Sequence, residues 1–544
     1  MSSPCLVNLV LHAHLPYVRH LEYPKFLEEN WLFESLNETY IPLLKILYKL
    51  EEEKKNFHLT ISFSPTLCTM LTDQPLQERF VSYMNSRIEL GEKEIARTRK
   101  ENPAELQMAR YYHKLSVDNL AFYESIERNI LNGFIHFQQS GNLEIAASAA
   151  TNAYLPLYQS FPNAIRAQID MGVKSHRQFF GTLPSGFWLP ECGYYPGLEN
   201  LLEEYGISWC QLPSHSVFTA ETKVESAGFS PILIGDSKLK GFVRDWSLTN
   251  LVWSNTSGYP CDADYRDFYK DIGYELPMDY VRPYIHEPSV RVFTGYKYWA
   301  ITGFDVEEKK YYNIAKAKEK AALHASNFLY HIRRKGIRVS AETSESPVIN
   351  LCFDAELFGH RWFEGLYFLE EVLRASSTDD FLNFTTPSAT IKSGAKSERA
   401  SLNECSWGDG GYSDPWLDGT NNWVYRHTQK AILRLEELAG RFPHQSSLKG
   451  RFLNQAAREV LLAMASDWPY IIHDKTSVTM LSRELETTLV LSMLFIATCA
   501  AMLLIQSGLL RANRKIQSSL RWITISLLLK GTIKNKLRVI SIFF

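Results

Sequence analysis

Short apolar runs that recur between longer helical stretches constrain this chain more than any other feature. Val7–Leu11, Leu59–Phe63, Glu144–Ala147, Phe187–Leu189, Ile207–Gln211, Val290–Thr294 and Val348–Phe353 each read as a buried strand. Between them lie helix-like segments such as Leu115–Gln138 and Tyr311–Arg334. This alternation predicts an α/β fold built on a parallel sheet or barrel. Polar residues stand where several runs end: His12 and His14, Glu191, and Asp354. In an α/β barrel the strand C-termini share one face, so such side chains converge there. Each alone reads as a satisfied strand-end polar group; their joint placement points to a site.

The rest of the chain divides around that pattern. Residues 1–395 carry it, and 193–253 within them read as an inserted subdomain or lid, least regular over Pro213–Trp253. Residues 396–486 turn helical: Ala431, Ile432, Leu435, Leu438 and Ala439 follow an amphipathic stripe, and Ala456–Ala465 reads as another helix. The tail, 487–544, is atypical, with no Asp or Glu after Glu486 and an apolar run at 489–505 followed by basic residues. At about 17 residues that run is at the short limit for a membrane span. It reads as a membrane segment, a buried helix or an altered reading frame. Membrane association could arise only through it.

Composition excludes several classes. With 45% hydrophobic and 22% charged residues the chain is an ordinary globular one, and a net charge of −2 calls for no nucleic acid. Eight scattered cysteines without a CxxC pair read as reduced thiols rather than a disulfide framework or zinc site. The N-terminus, MSSPCLVNLVLHAHLPY, lacks a basic leader region and reads as a first strand, which favours a cytoplasmic protein.

Cleaving or transferring a glycosidic bond needs two carboxyl groups across the bond, one to attack or activate water and one to protonate the leaving oxygen. Glu191 lies in GFWLPECGYYPGLE and Asp354 in VINLCFDAELFGHRWFEG. A carboxylate at the end of a buried strand is costly unless something pairs or uses it.

Five segments resemble, in order, the five sequence regions of glycoside hydrolase family 57. They are His14-Leu15-Pro16-Tyr17, preceded by His12; Gly141-Asn142-Leu143-Glu144-Ile145; Trp188-Leu189-Pro190-Glu191-Cys192; Phe353-Asp354-Ala355-Glu356-Leu357-Phe358-Gly359-His360; and Ser406-Trp407-Gly408 with Trp416-Leu417 and Trp423 through His427. The last resembles the branching-enzyme group of that family. The resemblance implies a (β/α)7 barrel with a small inserted subdomain and a C-terminal α-helical domain. It implies a retaining double displacement on an α-1,4-glucan (amylose or a glycogen-like polysaccharide), without a cofactor or metal. Glu191 would be the nucleophile. Asp354 would be the general acid/base, kept protonated by burial beside Phe353 and Phe358 or by the charge of Glu191. Transfer to a 6-hydroxyl would create an α-1,6 branch. His12 and His14 would bind the sugar being cleaved, Trp299, Trp407 and Trp416 would stack on it, and Asp467 would add a polar contact. Arg266 reads as a site residue or a surface ion-pair partner.

Three departures stand out. Asn152 replaces a histidine usual in branching enzymes; it keeps hydrogen bonding but carries no charge. The inserted stretch ETKVESAGFSPIL lacks a typical tyrosine, which leaves the balance of branching to hydrolysis open. The tail after about Leu481 does not resemble the family's charged helices. Rival readings are an α-amylase or 4-α-glucanotransferase of the same family, a metal-dependent polysaccharide deacetylase or α-mannosidase using His12 and His14, and a non-catalytic glucan-binding protein.

Overall fold

The computed structural model describes residues 4–19, 25–286, 290–302, 309–343, 345–443 and 447–474. Among these residues ten strands are formed: β1 Cys5–Ala13, β2 Leu59–Phe63, β3 Leu143–Ser148, β4 Gly186–Trp188, β5 Trp209–Leu212, β6 Ile232–Ile234, β7 Lys240–Val243, β8 Val348–Asp354, β9 Leu382–Thr385 and β10 Glu398–Ala400. Seven of them run parallel in the order β8-β1-β2-β3-β4-β5-β7. The ring closes where Arg244, just after β7, makes a parallel bridge to Asn350 of β8, and the Asp245 N–H donates to the Asn350 carbonyl at 2.8 Å. The result is the seven-stranded α/β barrel that the family resemblance implies. Strand β6 lies antiparallel on β7 and carries β10, while β9 pairs with the first half of β1.

The strands follow from their sequences. All nine residues of β1, CLVNLVLHA, are buried, as expected where helices cover a parallel sheet. The long helix Ile314–Thr343 buries Ala317, Ala321, Ala325, Phe328, Ile332, Gly336 and Val339, an unbroken stripe at spacings of three and four. Small residues let it approach closely: a Cβ on Gly336 would lie 2.9 Å from Cys5 Sγ.

Two predicted elements differ, and one strand was not predicted. Val290–Thr294 is not a strand; Val290 makes only an isolated bridge to His286. The seventh barrel strand is β7, which lies in the irregular stretch with β5 close before it. The predicted helix Leu115–Gln138 is two helices, Pro103–Ser125 and Ile130–Ser140, parted at Glu127 and Arg128, whose φ values are 54° and 59°.

The first compact unit runs through Trp416, and the second begins at Leu417. The second contains the helices Asn422–Arg441, Ser447–Ala463 and Asp467–Asp474. Within it the Asn421 amide donates to the Pro469 carbonyl at 3.0 Å, and His473 pairs with Asp418. On its first helix Ala431, Ile432 and Leu438 are buried as the stripe predicts, Leu435 is half-buried, and Ala439 is exposed. The 489–505 run falls outside the described residues. Among the described residues no helix is long and apolar enough to cross a membrane.

Candidate active site

The C-terminal ends of the barrel strands bring the predicted residues together. In register, His12 of β1 lies between Ser62 of β2 and Asp354 of β8. Asn152 follows β3, and Glu191 follows β4. Around the closed ring β5 and β7 lie between β4 and β8 on one side, and β1, β2 and β3 on the other. Glu191 and Asp354 therefore enter the mouth from nearly opposite walls.

Glu191 sits in a strained turn. Its φ is 60° and that of Cys192 is 49°, two successive left-handed residues that are not glycine. Such conformations cost about 1–3 kcal/mol each and persist only where the surroundings impose them. Here Trp407 does so twice: its backbone N–H donates to the Glu191 carbonyl at 3.0 Å, and its indole Nε1–H donates to Glu191 Oε2 at 2.8 Å. Asn152 Nδ2 donates to the other carboxylate oxygen, Oε1, at 3.4 Å. Trp407, expected to stack on substrate, thus holds the Glu191 carboxylate directly.

Asn152 is a bridge. Its φ of 54° lies in the left-handed region that asparagine tolerates better than most residues. With its amide nitrogen turned to Glu191, its oxygen accepts from His12 Nε2–H at 3.3 Å, and His12 Nδ1 pairs with Ser62 Oγ at 3.3 Å. Burial, with neighbouring His14 next, holds His12 well below the usual imidazole range, so it is neutral and serves as a hydrogen-bonding group. Its ring stacks on Trp188 at 4.7 Å and on His14 at 5.7 Å. His14 Nδ1 pairs with Ser64 Oγ at 2.8 Å, and its backbone N–H donates to Glu356 Oε1 at 3.1 Å.

Asp354 is pushed up from the aspartate range to about 7, first by burial and then by the neighbouring charge of Glu356; Arg244, His14 and Arg361 pull it back. The like charge acting on it is that of Glu356, where the sequence suggested Glu191. Arg244 lies over the faces of Trp407 and Trp253, 5.4 Å and 5.8 Å from the ring centres, and its Nε donates to Thr249 Oγ1 at 3.0 Å. The sequence pattern did not mark Arg244, because its position depends on the ring closing beside β8.

The remaining predicted residues take other places. Trp416 is only 2% exposed and packs a face on Tyr154 at 4.7 Å. Trp299 stacks on Tyr311 at 4.7 Å, and its carbonyl accepts from the Asp267 N–H. Asp467 opens a helix of the second unit. Arg266 is buried, with its guanidinium 3.9 Å from the centre of the Phe363 ring and its backbone N–H on Glu364, so it is an interior group rather than a surface partner. Among the described residues no cluster of three or more His, Cys, Asp or Glu is placed to hold a metal ion.

An amide and an indole on one carboxylate, a neutral imidazole behind the amide, and a second carboxyl raised to about 7 on the opposite wall equip an enzyme of the glycoside-processing class. The chain belongs to glycosyl hydrolase family 57, whose model matches residues 8–402. Residues 427–507 match the model of the 1,4-alpha-glucan branching enzyme C-terminal domain. That match runs through the apolar 489–505 stretch, which corrects the expectation that likeness to the family ends near Leu481. A 1,4-alpha-glucan branching enzyme of Thermococcus kodakarensis is 32% identical over 86% of this chain and 69% of its own length. The solved structure of the alpha-amylase AmyC from Thermotoga maritima superimposes with a TM-score of 0.84 and 37% identity, covering 95% of this chain and 96% of that one. The branching enzyme of Pyrococcus horikoshii gives 0.77 and 29%, covering 91% and 88%.

Proposed function

We propose that the protein is a 1,4-α-glucan branching enzyme that works by retaining double displacement. The observation that carries the mechanism is the strained Glu191, its carboxylate aimed by the Trp407 indole and the Asn152 amide across the mouth from a raised Asp354. Glu191 attacks the anomeric carbon of an α-1,4-glucan while Asp354 gives its proton to the departing glycosidic oxygen, leaving a glycosyl ester on Glu191. Asp354, now ionised, takes the proton of an incoming glucan 6-hydroxyl. That oxygen then displaces Glu191 and forms the α-1,6 linkage. His12, His14 and Asn152 hydrogen-bond the sugar at the cleavage point. The substrate is a neutral α-glucan such as amylose or a glycogen-like polymer, in keeping with the small net charge. The protein acts in the cytoplasm in glycogen synthesis, a reading supported by its scattered free thiols.

The near full-length likeness to a structure described as an α-amylase favours a second reading, hydrolysis, in which water replaces the 6-hydroxyl. Incubation with amylose separates the two. Branching raises the count of α-1,6 linkages with few new reducing ends, and hydrolysis does the reverse. Glu191→Gln should abolish both reactions with the fold intact; activity retained in that variant would remove the mechanism.

A further inference from the structure

Two residues beyond Asp354 a half-buried carboxyl group, Glu356, is bound to a feature the mechanism has not used. The helical run Glu29–Glu52 is α-helical except for one π-helical turn, Leu36–Tyr40. A π turn inserts one residue and re-aims the side chains on it, and such turns are frequent at functional sites. Here three successive side chains reach the loop that follows Asp354. Glu38 Oε2 pairs with His360 Nδ1 at 2.8 Å, Thr39 Oγ1 donates to the Phe358 carbonyl at 2.9 Å, and the Tyr40 hydroxyl donates to Glu356 Oε1. The loop is shaped to accept the turn: Gly359 has φ 97°, and a Cβ there would come within 1.9 Å of the Glu38 carbonyl. We propose that Tyr40, aimed by this π turn onto the Glu356 carboxylate, is a positioning residue that favours the charged form of Glu356 and thereby strengthens the hold of Asp354 on its proton; this rests on Asp354 being the general acid/base.

The groups facing the pair fix the sign. Glu356 Oε1 receives two donors, the Tyr40 hydroxyl and the His14 backbone N–H. They oppose burial, which still leaves the Glu356 carboxyl raised to about 7, level with Asp354, so the pair titrates together near neutrality. Tyr40 is held well above the phenol range by burial and by Glu356, and neighbouring Cys68 is also raised by burial, so both remain protonated and uncharged at working pH. The charge of Glu356 raises Asp354, and those of Arg244, His14 and Arg361 lower it. An ionised Glu356 raises the proton affinity of Asp354, and a protonated one does not. Without the Tyr40 hydroxyl, Glu356 takes up its own proton at higher pH than before. Asp354 then loses the neighbouring negative charge and releases its proton at lower pH.

The test is the pH profile of branching on amylose for wild type, Tyr40→Phe, Glu356→Gln and Asp354→Asn. Tyr40→Phe and Glu356→Gln should each move the alkaline limb of kcat down by roughly one pH unit. Both variants should be strongly impaired at pH 8, regain most of the wild-type rate at pH 5.5, and show little change in KM. A loss of similar size at every pH, with the limb unmoved in both variants, would overturn the role of Tyr40 while leaving an inactive Asp354→Asn to uphold the acid/base reading. An active Asp354→Asn would remove that reading, and this proposal with it.

Discussion

Holding the general acid half-buried should cost the fold stability, and the cost can be read directly. Asp354 titrates near 7 in the folded protein against 3.8 for the ordinary side chain, a rise of about 3 units. At about 1.36 kcal/mol per unit, ionising it inside the fold costs up to about 4 kcal/mol. Because the folded value is the raised one, the penalty is absent below about pH 4, grows between the two values, and is complete above about 7. Replacing Asp354 with Asn removes the charge and keeps the shape, so the variant should be inactive yet more heat-stable than wild type. Between pH 5.5 and pH 8 its advantage should widen by about 1–2 kcal/mol, allowing for the partial exposure of the carboxyl. For a chain of this size that is about 1–2 °C in melting temperature. Melting curves of both proteins at the two pH values are the assay. An advantage that does not change with pH, or a wild type that melts higher at pH 8, would refute the reasoning.

Other expectations follow from single contacts. Trp407→Phe keeps the ring but removes the 2.8 Å donor to Glu191. Hydrogen bonds to charged groups are worth about 1.5–3 kcal/mol, so kcat/KM should fall roughly 10- to 150-fold with the melting temperature little changed. Gly359→Ala forces a Cβ into the Glu38 carbonyl at a left-handed position. It should destabilise the protein by roughly 2 kcal/mol or more, seen as a lower melting temperature, and should lower activity because the loop follows Asp354 directly. Asn152→Ala breaks the link from His12 to Glu191 and should lower kcat more than it raises KM in initial-rate measurements on amylose.

Much of this site was legible in the chain because strand-end residues in a parallel barrel must share a mouth. Six of the seven barrel strands announce themselves as apolar runs. The seventh, Lys240-Gly241-Phe242-Val243, opens with a lysine and a glycine in a stretch of mixed charge, so no apolar run marks it. Val290–Thr294 has the composition of a strand but no partner in the ring, so the pattern misled there. Local sequence places Glu191 and Asp354 because each ends its own strand. It does not place Arg244, which faces Trp407 and Trp253 only because the ring closes at Asn350. Nor does it place Tyr40, more than three hundred positions before Glu356 and aimed by a helical irregularity that composition does not encode. The tryptophans divide for the same reason. All are large and apolar enough for a core, and only the fold separates Trp407, hydrogen-bonded to a carboxylate, from Trp416, packed on Tyr154.

Covalent capture of the intermediate tests the mechanism most directly. An activated α-glucosyl fluoride carrying a second fluorine on the sugar ring slows release of the glycosyl group, so the enzyme should accumulate as an ester whose mass is resolved by peptide mapping. The label is expected on Glu191, in the peptide that contains Trp188-Leu189-Pro190-Glu191. A label on Asp354 or Glu356, or no label while the unmodified substrate turns over with inversion at the anomeric carbon, would contradict it.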